Sequence, residues 1–133
     1  MNIEEIENKR CEIRQESVSQ MSFDDNTFDI ISAFETVYFW PDFSNDLNEV
    51  NRILNDDGIF MICNEALPKE NDERQKEFIE LLDCSIFSKN ELVSYLNNAD
   101  FQISKRLLMN QKILSLVKIL HGFVLLQKNS NEF

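Results

Sequence analysis

The chain has 133 residues, 43% of them hydrophobic and 11% aromatic, which suits one globular domain with a real core and excludes a disordered chain. Its 13 Lys and Arg stand against 24 Asp and Glu, a formal charge of -11, which excludes the basic surface needed to wrap nucleic acid or dock on an anionic membrane. Three cysteines, Cys11, Cys63 and Cys84, without ligand-like spacing, exclude a disulfide framework and a zinc site, and they fit a reducing, cytoplasmic setting.

The opening MNIEEIENKR carries no basic-then-apolar leader, and Asn2 to Lys9 reads as the exposed end of a short helix. Cys11-Glu12-Ile13-Arg14 alternates apolar and polar residues, the pattern of a half-buried or edge strand. A polar loop from Gln15 to Ser22 leads to Asp24-Asp25-Asn26, a tight turn built on short side chains that bond their own backbone. Phe28 to Phe34 is an almost continuous apolar run, expected as a central strand buried on both faces. An aromatic segment, Tyr38-Phe39-Trp40, stops at Pro41. Phe43, Leu47, Val50 and Leu54 then recur at helical spacing over Ser44 to Leu54. Asp46, Asn48, Glu49, Asn51 and Arg52 are expected to face solvent on that helix, and Asp42 or Ser44 to cap it. Gly58 is expected to end the unit in a left-handed turn, before a second buried strand, Ile59 to Cys63.

Strand, loop, helix, strand is a βαβ unit, so the fold class is α/β with a mostly parallel sheet. Asn71 to Asp83 reads as a helix with Phe78, Leu81 and Leu82 on one face. Ser88 followed by Glu91 is a capping box, with Phe87 as a hydrophobic staple and Leu92, Val93 and Leu96 as the buried face of the helix it starts. Phe101 to Met109 is a strand candidate, Gln111 to Leu120 fits either helix or strand, and Phe123 to Leu126 reads as a last strand. The apolar stretch Ile113 to Leu126 is broken by Lys118, His121 and Gly122, so no membrane span is expected. His121 reads as an interior or edge residue rather than a catalytic one.

Taken together, QMSFDDNTFDIISAF and FWPDFSNDLNEVNRILNDDGIFMI resemble the core of the class I S-adenosylmethionine-dependent methyltransferases, small-molecule type. That family shows an L-P-F-x-D-x-S-F-D turn into its strand 4, an aromatic-rich loop, a helix ending E-x-x-R-x-L-K-P-G-G, and strand 5. Met21-Ser22-Phe23, Asp25, Phe28-Asp29, Trp40, Asp42, Glu49, Arg52, Leu54 and Gly58 match this pattern. SKNELVSYLNNADF resembles the family's next helix and GFVLLQK its last strand, so the resemblance runs over roughly residues 11–128. The implied fold is a single domain, residues 1–133, holding strands 3 to 7 of a partial Rossmann-like methyltransferase sheet. The departures carry equal weight. The family's glycine-rich loop, where backbone approaches the cofactor, has no counterpart among the two glycines, Gly58 and Gly122. The acidic residue that closes strand 2 is missing too.

With the family's strand order, 3-2-1-4-5-7-6, a chain lacking strands 1 and 2 leaves the Phe28 to Phe34 strand with an open apolar edge. Three arrangements would cover it: the Cys11 strand sliding in, two copies pairing as a homodimer, or a complementing N-terminal segment. The resemblance implies S-adenosylmethionine as cofactor, touched by Ser17 and Val18 after strand 3 and by Ala33, Phe34 and Glu35 leaving strand 4. Tyr38, Phe39 and Trp40 then line the substrate pocket. Without the resemblance, Ser17 and Val18 are an ordinary loop, and Ala33, Phe34 and the three aromatics read first as core. Glu35 is a strand-end carboxylate, and no catalytic residue is assigned. Two functions follow. One is the C-terminal portion of an enzyme that methylates a small-molecule substrate. The other is a non-catalytic relic acting as an interaction or dimerisation module.

Overall fold

The structure is a computed structural model that describes residues 3–9, 11–101, 103, 107–109 and 112–118. A five-residue helix, α1 (Ile3–Glu7), precedes irregular chain up to strand β1 (Phe28–Phe34). A 3-10 turn (Val37–Phe39) and helix α2 (Phe43–Ile53) lead directly into strand β2 (Leu54–Asn64). Helices α3 (Glu73–Leu82) and α4 (Lys89–Asn98) follow, then strands β3 (Leu107–Met109) and β4 (Lys112–Lys118).

The sheet order is β1-β2-β4-β3. β1 and β2 are parallel, and β4 is antiparallel to both β2 and β3, so β1, β2 and β3 share a direction. The order equals 4-5-7-6 of the scheme that the resemblance implies, with β4 in the place of the last strand, which the resemblance assigns to Gly122–Lys128, outside the described residues. Gln111 to Leu120, open between helix and strand, is therefore a strand over Lys112–Lys118, because it pairs with β2 from Ile59↔Lys118 to Asn64↔Ile113. The Phe123 to Leu126 strand and His121 lie outside the described residues.

The core sits on one face of the sheet. Ala33 of β1 and Phe60 and Ile62 of β2 meet Leu47 and Val50 of α2, Leu92 and Leu96 of α4, and Phe101. The alternation along β2 puts Phe60, Ile62 and Asn64 on this buried side. The local signals at the helix starts hold. Asp42 caps α2 by accepting from the Asn45 N–H, and Ser88 and Glu91 form the full capping box on α4. Phe87 stacks on Phe43, with ring centroids 4.5 Å apart, which ties the start of α4 to α2.

Several expectations are corrected. β1 is an edge strand and not a doubly buried one; Ile30 is 64% and Phe34 54% exposed, while Ala33 is buried. Cys11-Glu12-Ile13-Arg14 is irregular, exposed chain, so it does not slide in beside β1. Its alternation goes unused because Arg14 turns instead to Glu12, Glu16 and Ser22 and lies 4.4 Å over the Phe23 ring. In α3 no residue is buried, and Phe78, Leu81 and Leu82 face outward, Leu81 being 82% exposed. Phe101 is a buried anchor after α4 rather than the start of a strand.

Gly58 does not make a left-handed turn. It lies buried within β2, in the excursion where Phe28↔Leu54 steps to Ile30↔Ile59. Its φ is outside the left-handed region, and the constraint is space. A Cβ there would sit 2.6 Å from Leu54 Cγ and 2.8 Å from the Asn55 carbonyl oxygen. Gly58→Ala is therefore expected to cost about 1–3 kcal/mol of stability in urea unfolding. Adding Leu54→Ala should then cost less than it does alone, because the two changes share one crowded contact.

Candidate functional site

The site is built at the carboxyl end of β1, the end at which open parallel sheets present ligand crevices. After Phe34 the chain turns sharply at Glu35, which takes a left-handed φ of 54°. A non-glycine residue there stores of order 1–3 kcal/mol of strain. The turn is held because the Glu35 N–H donates to the Cys63 carbonyl at 2.8 Å. It directs Val37 and Tyr38 into the core and leaves Phe39 outside, 51% exposed. Trp40 lies half-buried against Phe43 and Phe60, with centroids 5.7 and 6.2 Å away.

The facing wall is the turn Ser17–Gln20, closed by the Gln20 N–H donating to the Ser17 carbonyl at 3.1 Å. Among the described residues, no strand lies beside this segment, and side chains of α2 supply hydrogen bonds to it and to the adjoining chain. Ser19 Oγ donates to Asp46 Oδ1 at 2.7 Å, and the Met21 N–H donates to Glu49 Oε1 at 2.9 Å. Arg52 donates to the carbonyls of Met21 and Phe23 (3.1 and 2.8 Å) and to Asp25 and Glu49, each at 2.7 Å. Glu49 and Arg52, expected as solvated helix charges, are thus the fastening of this loop. Asp46 is a second correction: it is fully buried, not solvent-facing. It stands three residues after Phe43 and four before Val50, on the apolar stripe, and that spacing was the available signal.

Between the walls lies an open cleft of about 420 Å³ lined by Glu16, Ser17, Val18, Glu35, Thr36, Phe39, Trp40 and Pro41. Five of the eight residues expected at a site, Ser17, Val18, Glu35, Phe39 and Trp40, meet here. The other three are placed elsewhere. Ala33 belongs to the core, and Phe34 points to the exposed face of the sheet, because neighbouring strand residues alternate sides. Tyr38 is buried behind the cleft, where it donates to Glu35 Oε2 at 3.3 Å and accepts from the Ala66 N–H at 2.9 Å. It therefore braces the ends of β1 and β2. Burial, the largest cause, pushes its hydroxyl up to about 12, so it stays protonated at neutral pH. Glu16, Thr36 and Pro41 were not anticipated as lining.

A second cavity of about 450 Å³ opens at the end of β2, lined by Glu65 to Lys69 and Gln75. The Gln75 side chain shapes it by donating to the Leu67 carbonyl and accepting from the Lys69 N–H, both at 2.8 Å. Among the described residues, no group of three or more His, Cys, Asp or Glu is placed to hold a metal ion. None of the helices there is long and apolar enough to cross a membrane.

The family model described as a methyltransferase domain matches residues 2–62, the segment that contains both walls of this cleft and the β1-α2-β2 unit up to Ile62. The chain shares part of the Rossmann-like fold of the class I S-adenosylmethionine-dependent methyltransferases. An S-adenosylmethionine-dependent methyltransferase from Thermotoga maritima aligns with a TM-score of 0.61 and 22% identity over 76% of this chain and 51% of its own. The geranyl diphosphate C-methyltransferase of Streptomyces coelicolor, solved with Mg2+, geranyl diphosphate and S-adenosyl-L-homocysteine, aligns at 0.59 and 15% over 69% of this chain and 35% of its own. The cyclase SpnF aligns at 0.64 and 18% over 78% of this chain and 37% of its own. This chain thus spans about half the length of these structures or less. No curated protein matches it in sequence.

The fastening of this cleft wall has a pH signature. Hydrogen bonds from Arg52 first, and from the Met21 N–H, lower the Glu49 carboxyl from its ordinary 4.5 to about 2. The ionised form then stabilises the fold fully above about 4.5, and this contribution is lost as the pH falls through about 2. Glu49→Gln is expected to lower the urea midpoint at pH 7 and to flatten its decline between those two pH values. Urea titrations across that range, wild type beside variant, check this.

Proposed function

We propose that the cleft at the end of β1 takes the nucleoside and sulfonium part of S-adenosylmethionine, as part of an enzyme that methylates a small-molecule nucleophile. The observation that carries the reading is the meeting of Ser17, Val18 and Glu35 with Phe39 and Trp40 around one cavity. Its size is in the range of small-molecule pockets, roughly 300–1,000 Å³. Its chemistry suits a cationic, partly apolar ligand. The two charged lining residues, Glu16 and Glu35, are both acidic, and aromatic faces attract a sulfonium as they do other cations.

The cofactor, when bound, supplies an electrophilic methyl group. The chain's own contribution is to orient and shield it. In-line displacement at the methyl carbon rests on proximity and alignment, so no cleft side chain has to act as base. Phe39, Trp40 and Pro41 form the apolar side on which an acceptor would lie. The acidity of the chain and of the cleft favours a small neutral or cationic acceptor over a nucleic acid.

A second reading, an interaction or dimerisation module, is favoured by the apolar edge at Ile30 and Phe34. Titration separates the two. Trp40 is the only tryptophan, so its fluorescence reports the cleft directly. Both S-adenosylmethionine and S-adenosylhomocysteine are expected to change it with saturation below millimolar concentration. Glu35→Gln should weaken the cationic cofactor several-fold and leave the product, which has lost the sulfonium charge, nearly unchanged. No response to either compound at millimolar concentration, together with a mass that rises with protein concentration in light scattering, would replace the enzyme reading by the module.

A further inference from the structure

We infer that Asp46 is a positioning residue that joins the two walls of the cleft through a single buried carboxylate. The inference rests on the reading of that cleft as a ligand site. Asp46 is 0% exposed. It occupies a place on the inward stripe of α2, between Phe43 and Val50, where packing alone asks for an apolar side chain. A carboxylate put there loses its hydration, and it is tolerated only if its oxygens receive hydrogen bonds.

Both oxygens do, and from opposite walls. Oδ1 accepts from Ser19 Oγ at 2.7 Å, in the turn that carries Ser17 and Val18. Oδ2 accepts from the Asp42 N–H at 3.0 Å, directly after Trp40 and Pro41. The position in the first turn of α2 adds the favourable field of the helix N-terminus. Among the described residues, no Lys or Arg forms an ion pair with Asp46, so these donors and the helix end hold the charge. The desolvation of one acid is thus offset by contacts that set the spacing of Ser17 and Val18 from Trp40 and Pro41. Among the described residues, the other hydrogen bonds of the turn are the internal Ser17–Gln20 and Ser17–Ser19 contacts. Val18 packs on the core, and Glu49 and Arg52 hold the adjoining Met21.

Three variants test this. Ser19→Ala removes the donor on one wall. Asp46→Asn keeps an acceptor for one donor but sets its NH2 group against the other. Ser19→Thr keeps the hydroxyl and serves as the rescue. Amide hydrogen exchange reads the turn, and Trp40 fluorescence with S-adenosylhomocysteine reads the cleft. Ser19→Ala and Asp46→Asn are expected to speed exchange at Ser17–Gln20 and to weaken the nucleoside about tenfold, the usual scale for one hydrogen bond to a charged group. Protection of β2 should stay at the wild-type level, and Ser19→Thr should restore both readouts. Unchanged exchange at the turn overturns the inference. Faster exchange with unchanged affinity overturns it as well, because Asp46 would then stabilise the loop without shaping the site. If the wild-type chain binds neither nucleoside, the ligand reading of the cleft fails, and the exchange pattern alone decides whether Asp46 fixes the turn.

Discussion

The parallel pairing of β1 and β2 is the constraint from which the rest of the structure follows. Two parallel neighbours cannot be joined by a tight turn, so the chain must cross the sheet, and α2 is that crossing. The crossing lays Leu47 and Val50 over Phe60 and Ile62 and closes the core on one face. It also brings the carboxyl ends of both strands to the same side. Glu35, Tyr38 and Ala66 meet there, and Tyr38 joins them by its hydroxyl. The cleft is a by-product of this geometry, since the segment between the end of β1 and the start of α2 has to turn over the end of the sheet.

The same helix solves a second problem. Among the described residues, no strand lies beside the chain from Ser17 to Asp25, so its backbone groups need other partners. One stripe of α2 provides them through Asp46, Glu49 and Arg52. Exposed ion pairs are worth little by themselves. Arg52 differs because its planar fork reaches two carbonyls and two carboxylates at once, so ordering one side chain satisfies several groups. The helix is therefore two-sided in function, apolar toward the sheet and a clasp toward the loop.

Sequence signals that depend on neighbouring residues were legible. The capping box at Ser88 and Glu91, the Asp42 cap and the Phe28–Phe34 strand were read where they stand. The second strand, read as Ile59 to Cys63, starts earlier, at Leu54, and includes Gly58. Signals that depend on what lies across a gap were not. Phe28 to Phe34 has the composition of a central strand, but burial is set by what pairs with its free edge, and composition does not contain that. The alternation of Cys11 to Arg14 is of the same kind, because a strand needs a partner and Arg14 found closer ones. Resemblance to a family singled out Ser17, Val18, Glu35, Phe39 and Trp40, which line one cleft. Ala33 and Phe34 lie off that cleft because residues one step apart on a strand point to opposite faces, Ala33 into the core and Phe34 outward. Asp46 was misread because a charged residue is assigned to solvent by default, although its spacing from Phe43 and Val50 put it inside.

Fold alone leaves the chemistry open, since a cyclase shares this architecture with the methyltransferases it resembles. The cleft narrows the choice through its charge. Its lining holds two carboxylates and no cation. Such a surface repels a carboxylate and attracts a sulfonium, so the two ends of the proposed cofactor have opposite preferences there. The sulfonium would lie toward Glu35 and the aromatic wall, and the amino-acid carboxylate would point away from Glu16 and Glu35. Gly58, committed to its crowded place in β2, is not part of a loop that could grip that end. On the proposed reading, the cleft residues would suit the nucleoside and the reacting centre, and recognition of the cofactor's carboxylate would fall to groups outside the cleft.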